Sequence, residues 1–321
     1  AFLDRSANDW PITVSVADLT GKSSEVELQR QHGAYAGQGG YAAVGVRGRQ
    51  WADLAEVRFT ASDTDKEEPH NQVMTAPYGE VAWARRGYGG TARWDRVFGG
   101  RIRLQAVGAY GYRATTFSDQ ADVVYDWYGD VVRDRLQPGE LEGRVASDLV
   151  TWQHSAYGRL TADVLVHPQH RLSTALTLQF AHRTGEERLT TPGERDPNAS
   201  VNEQLRLVWG LDYTGWLAGD RLELNAFGKL YVHQAQLAGV VDWIYDEQER
   251  SETPLGAGAS ARLAITPNLF LRASYEYAIR LPSPDELFGD GVLVASNITL
   301  NAERSHNANL ELGLRGQETP G

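Results

Sequence analysis

The chain has 321 residues, with 31 Lys or Arg against 42 Asp or Glu, so its formal net charge is −11. This acidic balance argues against a nucleic-acid-binding protein, which normally carries a basic surface, and we expect no nucleic-acid partner. Cysteine is absent, which excludes a disulfide framework and thiolate metal sites.

Alternation of apolar and polar residues at period two predicts a series of strands along the first part of the chain. Two predicted strands carry Ile12 and Val26 on either side of a turn at Gly21. Two more open at Ala42 and Ala55, on either side of a tight connection at Trp51. A long acidic and prolyl loop, residues 63–78, follows them.

The later strands alternate more regularly. They are predicted in pairs joined at short turns near Gly99, Pro168, Gly219 and Pro267, at about 80–97 and 102–110, 156–164 and 172–180, 204–214 and 222–233, and 259–265 and 269–280. Long loops at 115–153 and 236–253 separate some of these pairs, and a final strand begins near Leu310. The sequence therefore predicts about thirteen strands in an all-β, antiparallel arrangement.

Two features distinguish this pattern from an ordinary sheet. The predicted strands, of roughly ten to fourteen residues, exceed the five or six usual in soluble proteins and suffice to cross a bilayer when tilted. Short turns also alternate with long loops, as they do in bacterial outer-membrane barrels. The sequence has no apolar run of about 18 residues, so no transmembrane helix is expected. The mean hydropathy of −0.43 is compatible with a barrel, because lipid-facing and lumen-facing residues average out.

Charged residues lie in the middle of the predicted strands, on the face opposite the apolar one. A wide barrel turns such residues toward a wet lumen, and the lumen-lining candidates are Arg103, Arg206, Lys229, Arg272 and Arg280. They could guide an anionic ligand, or they could pair with facing carboxylates. A soluble antiparallel sheet with one solvated face explains the alternation, but not strand length and loop asymmetry together. Burial of the rows 172–180 or 222–230 against a second sheet would exclude the barrel.

The stretch from Tyr275 to Leu314 reads as a strand, a structured loop and a returning strand. It carries the motif residues Arg280, Pro282, Ser283, Glu286, Leu287, Phe288 and Gly289, then Asn297, Leu300, Glu303, Ser305, Glu311, Leu312 and Gly313. This pattern resembles the late-barrel part of TonB-dependent outer-membrane receptors.

The resemblance implies a partial antiparallel, up-and-down transmembrane β-barrel in the outer membrane of a Gram-negative bacterium. Residues 1–321 are then one fragment of the receptor barrel domain, without the plug and the C-terminal strands, and supply about thirteen of the roughly 22 strands of such a barrel. The implied function is TonB-dependent uptake of a scarce ligand, foremost a ferric siderophore, with cobalamin, haem and a glycan left open. The alternative is a passive porin-like channel or a surface-binding barrel. The implied partners are outer-membrane lipid, the TonB complex acting through the plug, and a small-molecule ligand such as a metal chelate.

Aromatic residues on two long loops are candidate ligand contacts, since exposed loop aromatics often bind. They are Tyr125, Trp127, Tyr128, Trp243 and Tyr245; packing of the loops on themselves is an equally good interpretation. The haem-uptake members carry a histidine between the two late motifs, and this chain has none between Pro282 and Ser296. We expect aromatics near the short turns to form a girdle at the membrane interface, namely Trp94, Phe98, Trp209, Tyr213, Trp216 and Phe270.

Enzymatic activity is not expected. The chain has no Gly-x-Ser-x-Gly elbow, phosphate-binding loop or His-Glu-x-x-His motif. Nothing pairs an Asp with a His for a barrel-rim protease dyad. We expect no cofactor and no resident metal, because the acidic loops match no calcium-binding spacing.

Overall fold

In a computed structural model, the described residues are 1–17, 20–141, 145–241, 244–294, 296–297 and 299–314, with side chains described for all of these except 197, 239–241 and 244–246. A single antiparallel sheet of thirteen strands dominates this part of the chain. No helix among the described residues is long and apolar enough to cross a membrane.

Seventeen strands occur in the described residues. In chain order they are β1 Phe2–Ser6, β2 Pro11–Ala17, β3 Ser23–Gln29, β4 Tyr35–Arg49, β5 Ala52–Glu67, β6 Ala82–Phe98, β7 Ile102–Asp119, β8 Val123–Tyr125, β9 Val131–Asp134, β10 Ser147–His167, β11 His170–Glu187, β12 Asn202–Leu217, β13 Leu222–Val241, β14 Ile244–Glu252, β15 Leu255–Ala264, β16 Leu269–Arg280 and β17 Glu303–Leu314. A 3₁₀ turn spans Pro197–Ala199, and a short helix, α1, spans Pro284–Phe288.

The large sheet runs in the order β1-β4-β5-β6-β7-β10-β11-β12-β13-β15-β16-β17, and β14 pairs with β13. Strands β14 and β15 pair with successive parts of β13, at 233–241 and 222–230 respectively. They therefore act as one long strand interrupted at Thr253 and Pro254. The all-β, antiparallel, up-and-down architecture predicted from the sequence is confirmed.

The strand count agrees with the sequence prediction, but the membership differs. Strands β2 and β3 are seven residues each and form a separate hairpin between β1 and β4. The turn at Gly21 thus belongs to this hairpin, and the prediction of β2 and β3 as members of the main sheet was wrong. Strands β1 and β14, neither of which shows an alternating pattern, take their places. A second small hairpin, β8 and β9, lies within the long connection between β7 and β10.

The central strands are longer than predicted, because they continue past the alternating apolar segment. Strands β4 to β7 have 15 to 18 residues, and β10 has 21. At about 3.3 Å per residue, β10 extends to roughly 70 Å. About 9–11 tilted residues suffice to cross a bilayer, so these strands are longer than a crossing requires, and they extend toward the end of the sheet with the long connections. We call this the long-loop end.

The two faces of the sheet have opposite character. On the apolar face, Leu172, Leu176 and Leu178 of β11 are 39%, 41% and 44% exposed. The row from Leu222 to Leu230 of β13 is also not buried by any second sheet of the described part. Soluble proteins rarely leave so large a continuous apolar surface open. The described structure therefore does not support the soluble-sheet alternative, which would bury this face.

Four of the six aromatics expected in a girdle lie on the apolar face, and two do not. Trp94, Phe98, Trp209 and Tyr213 lie on the apolar face, as their register with neighbouring apolar residues requires. Trp216 lies in register with Glu223 and stacks with Arg171, and Phe270 stacks with Arg262. These last two rings are on the polar face, because strand parity places them opposite the apolar row, and their assignment to the girdle was wrong.

Buried apolar side chains concentrate where residues 281–302, which we call the late segment, meet the sheet. One cluster joins Leu287 and Phe288 of α1 to Ala181, Ala235 and Leu237. A second joins Val292 to the long-loop end, through Tyr78, Val81, Phe117 and Leu149. The late segment connects β16 to β17, yet it contacts strands as far away as β7 and β10. The sheet must therefore curve, with its polar face on the concave side.

Candidate functional site

The late segment folds back over the polar face as a capped turn of helix. Ser283 caps α1 by accepting from the Glu286 N–H, and the Glu286 carboxylate accepts from the Ser283 N–H, at 3.3 and 2.7 Å. Pro284 occupies the first turn, where its missing N–H costs nothing. This reciprocal capping fixes the helix start. It directs Leu287, which is fully buried, into the sheet.

Arg280 connects the helix to both strands that flank the segment. Its guanidinium donates to Glu303 Oε2 at 2.9 Å and Oε1 at 2.7 Å, and to Glu286 Oε1 and Oε2 at 2.9 and 3.0 Å. These two bidentate pairs fix the position of α1 relative to β16 and β17, because the planar guanidinium matches each carboxylate with two parallel hydrogen bonds. The hydrogen bonds from Arg280, and then those from Ser283, lower the pKa of Glu286 from 4.5 to about 2.

A second arginine cluster holds the middle of the late segment. Arg183 of β11 donates to Asp285 Oδ1 at 2.7 Å and to the Gly289 carbonyl. Arg113 of β7 donates to the same Asp285 oxygen at 3.3 Å. Gln153 of β10 lies between the two arginines and accepts from both, at 3.1 Å from Arg113 and 2.6 Å from Arg183. One carboxylate of the segment is thus shared by two cations of the wall.

Further hydrogen bonds anchor both ends of the segment. The Pro282 carbonyl accepts from Gln204 Nε2 at 2.9 Å and from Arg206 at 3.3 Å. The Asn297 N–H donates to the Leu287 carbonyl at 2.9 Å. Arg250 of β14 donates to the Leu300 carbonyl at 3.1 Å. The segment is therefore tied to β7, β11, β12 and β14.

The family motif thus reads as an anchoring device. Arg280, Ser283, Glu286 and Glu303 form the ion-pair and cap network, and Pro282 and Leu287 supply contacts that dock the segment on the sheet. The Asn297 N–H donates to the Leu287 carbonyl and so closes the loop within the segment. In the returning strand, Glu311 lies opposite Arg272 and Leu312 is 69% exposed on the apolar face. A Cβ on Gly313 would lie 2.2 Å from the ring of Phe270, so only glycine admits that ring.

Most of the predicted lumen cations are paired. Arg103 donates to Asp95 at 2.6 Å and Lys229 to Glu276 at 2.9 Å. Arg206 contacts a carbonyl rather than a carboxylate. Arg272 has no ion-pair or hydrogen-bond partner for its side chain among the residues described. All of them share the polar face with the late segment, and their guidance of a ligand stays a prediction.

The first predicted aromatic loop packs against its neighbours. The Tyr125 hydroxyl donates to Glu80 at 2.8 Å, a contact that raises the pKa of Tyr125. Trp127 lies 6.1 Å from the ring of His70. Tyr128 is 58% exposed, so it is the aromatic of this loop best placed to meet a ligand. Trp243 and the side chain of Tyr245 lie outside the described residues.

Two buried carboxylates that the sequence analysis did not single out organise the long-loop end. Asp119, which is 1% exposed, accepts from the N–H groups of Glu140 at 2.6 Å and Leu141 at 3.0 Å. Glu140 in turn accepts from the N–H groups of Gly79 at 2.8 Å and Glu80 at 2.7 Å. Burial raises the pKa of Glu140. This relay joins the loop after β7 to the loop before β6.

A cavity of about 630 Å³ opens between the late segment and the polar face at the long-loop end. Its cationic lining residues include Arg85, Arg113 and Arg183, none of which the sequence analysis selected. Their positions on the polar faces of β6, β7 and β11 were the only available signal, and many other residues share that position. Among the residues described, no group of three or more His, Asp or Glu is placed to hold a metal ion.

Comparison with solved structures shows what this architecture is similar to. The copper transporter OprC matches 98% of this chain with a TM-score of 0.67 at 12% identity. The ferric yersiniabactin uptake receptor FyuA from Yersinia pestis matches 96% with a TM-score of 0.55 at 10% identity. BauA, the ferric preacinetobactin receptor from Acinetobacter baumannii, matches 97% with a TM-score of 0.53 at 10% identity. These structures are TonB-dependent receptors.

The chain has the fold of a TonB-dependent receptor barrel. It spans about half of the TonB-dependent receptors it matches, covering 50% of OprC, 46% of FyuA and 53% of BauA. The matched structures are outer-membrane barrels that serve as transporters and receptors, in agreement with the expectation that the chain is not an enzyme. No protein-family model and no curated protein sequence matches the chain.

Proposed function

We propose that residues 1–321 form part of the wall of a TonB-dependent receptor in the outer membrane of a Gram-negative bacterium. The complete protein binds a scarce ligand at the long-loop end. It passes the ligand inward when the TonB complex acts on a plug domain encoded elsewhere in the protein.

One observation carries this proposal: the curved sheet exposes its apolar face and covers its polar face with the anchored late segment. An open apolar face suits lipid, because transmembrane barrels turn a band of apolar side chains outward to the hydrocarbon. A covered, charged polar face suits a barrel whose interior binds rather than simply conducts. The matched receptors share this fold over 96–98% of the chain.

For the ligand, we propose a metal chelate, with a ferric siderophore as the first class to test. Two of the matched structures are a ferric yersiniabactin uptake receptor and a ferric preacinetobactin receptor, and a third is a copper transporter. The polar face offers cationic side chains to an anionic complex, notably at the cavity beneath the late segment.

The direct test is uptake by cells. A strain lacking the full-length gene is compared with its parent for uptake of radiolabelled ferric siderophores, copper and cobalamin, each in the presence and absence of a functional energy-coupling complex. We expect the deletion to abolish uptake of one ferric chelate, and loss of the coupling complex to have the same effect.

The controls separate the classes of function. Uptake that requires the gene but continues without the coupling complex would identify a passive channel. Loss of copper uptake alone would assign a different metal.

A further inference from the structure

The cavity at the long-loop end is large enough for a small ligand, since pockets of about 300–1,000 Å³ bind drug-sized molecules. The sheet supplies one side of it and the late segment the other, with Asp285, Gly289 and Asp290 facing the wall. The late segment therefore closes one side of this cavity.

Four cationic side chains and three carboxylates line the cavity, which leaves one excess positive charge. Lys66 is neutralised by Glu68 at 2.6 Å. The Asp290 carboxylate accepts from the N–H groups of Val292 and Val294, both at 2.8 Å. Asp285 is therefore the lining carboxylate that pairs with arginines of the cavity, namely Arg113 and Arg183.

Strand register places the three arginines of the cavity close together. Arg113 and Arg183 lie in one row on either side of Gln153, across three adjacent strands, and so about 10 Å apart at their Cα atoms. Gly87 faces Arg113 on the next strand, and Arg85 is two residues further along it. The side chain of Arg85 has no hydrogen-bond or ion-pair partner among the described residues.

Asp285 is itself accessible. Its side chain is 69% exposed, although it contacts Arg183, whose side chain is only 10% exposed. A carboxylate that is open to solvent can exchange for another anion without creating a buried unpaired charge, because the incoming anion takes over the same donors. Asp285 therefore occupies the position that an anionic group of a ligand would take.

We propose that this cavity is an anion-binding site in which Asp285 is an internal competitor. A ligand carrying several negative charges, such as a ferric chelate with peripheral catecholate or carboxylate oxygens, takes Arg113 and Arg183 from Asp285 and also contacts Arg85, which lines the same cavity. Losing these contacts removes the polar ties between Asp285 and the wall, while Leu287 and Phe288 stay packed against the sheet. Binding therefore loosens the middle of the late segment without detaching α1. The inference rests on the proposed function for the ligand class, and adds the site and its response.

The test uses the purified full-length protein and two probes of similar size and opposite charge. One is a trianionic ferric tris-catecholate and the other a cationic ferric tris-hydroxamate, each titrated by calorimetry. We expect Arg113→Gln to weaken binding of the trianion at least tenfold. We expect Asp285→Asn to tighten it several-fold, and neither change to affect the cationic probe.

Asp290→Asn is the matched control, because it removes the same charge from the same cavity without touching Arg113 or Arg183. A gain as large as that of Asp285→Asn would show that general electrostatics, not competition, governs affinity, and would overturn the proposal. So would the absence of any preference for the trianion.

A second measurement follows the mobility of the late segment. The chain has no cysteine, so a Leu293→Cys variant carries a spin label at a position that is 53% exposed. We expect the trianion to increase label mobility, and Arg113→Gln to abolish the increase. If label mobility is unchanged or reduced when the trianion binds, the ligand does not loosen the late segment and the proposal is wrong. If cells take up a ferric chelate only with the coupling complex, but the titrations show no preference for the trianion, the proposed function stands and the anion-binding site is refuted.

Discussion

Replacing Arg183 with Met should weaken the attachment of the late segment to the sheet. Met keeps the apolar bulk but removes the donors to Asp285 and to the Gly289 carbonyl. Hydrogen bonds to charged groups contribute about 1.5–3 kcal/mol each. Asp285 keeps Arg113 as a partner and is 69% exposed, so its share must be reduced for solvent screening. We therefore expect a total loss of about 2 to 3 kcal/mol, a roughly 30- to 150-fold increase in the opening constant of the segment.

Hydrogen exchange measures this opening directly, because local protection reports the free energy of local unfolding. In the Arg183→Met variant, peptides covering residues 283–294 should exchange faster by that factor, while peptides from the centre of β10 remain unchanged. Arg188→Met is the control, because Arg188 pairs with Asp148 at 3.6 Å and its side chain is 49% exposed. If both variants change exchange equally, Arg183 does not anchor the segment and the reasoning fails.

Three further predictions concern other parts of the molecule. Leu176→Arg on the apolar face should destabilise the full-length protein in lipid by about 2–4 kcal/mol, whereas Thr177→Arg on the polar face should change little; urea titration in vesicles measures both. The pKa of Glu286 is lowered in the fold, so its stabilising effect is complete above about 4.5 and is lost as the pH falls toward about 2. After correction for the intrinsic exchange rate at each pH, the protection of late-segment amides should accordingly fall over that window, and a Glu286→Gln variant should show a weaker pH dependence, to which Glu303 still contributes because Arg280 lowers its pKa too. Asp119→Ala should leave two backbone donors, including the Glu140 N–H, without their acceptor, at a cost of about 1–3 kcal/mol each; limited proteolysis between residues 120 and 141 should then be faster, and an unchanged cleavage rate would refute this role.

The sequence predicted the strands of the sheet well where apolar and polar residues alternate. Strands β10 to β13 alternate in this way, and their turns at Pro168 and Gly219 carry recognisable turn residues. The prediction failed where that alternation ends. Strand β14 reads Ile-Tyr-Asp-Glu-Gln-Glu-Arg-Ser-Glu, which has no apolar alternation because it pairs only with the extension of β13. Hairpin β2–β3 shows perfect alternation, yet periodicity alone cannot tell which sheet a strand joins.

The site was less accessible to prediction. The motif located Arg280, Ser283 and Glu286, because capping and ion pairing act over a few residues. The partners of Asp285 could not be found this way, since Arg113 and Arg183 are 172 and 102 residues away in sequence. Only the curvature of the sheet brings them together. Many strands carry a polar-face arginine, and no local feature distinguishes these two.

The central claim is that hydrocarbon contacts one face of the sheet and water the other. Spin labels placed one at a time on β11, from Leu172 to Arg183, in the full-length protein in vesicles test it most directly. The account predicts that even-numbered positions are accessible to oxygen and odd-numbered positions to a water-soluble nickel chelate, with a period of two. Equal access of the nickel chelate to Leu176 and Thr177 would contradict it.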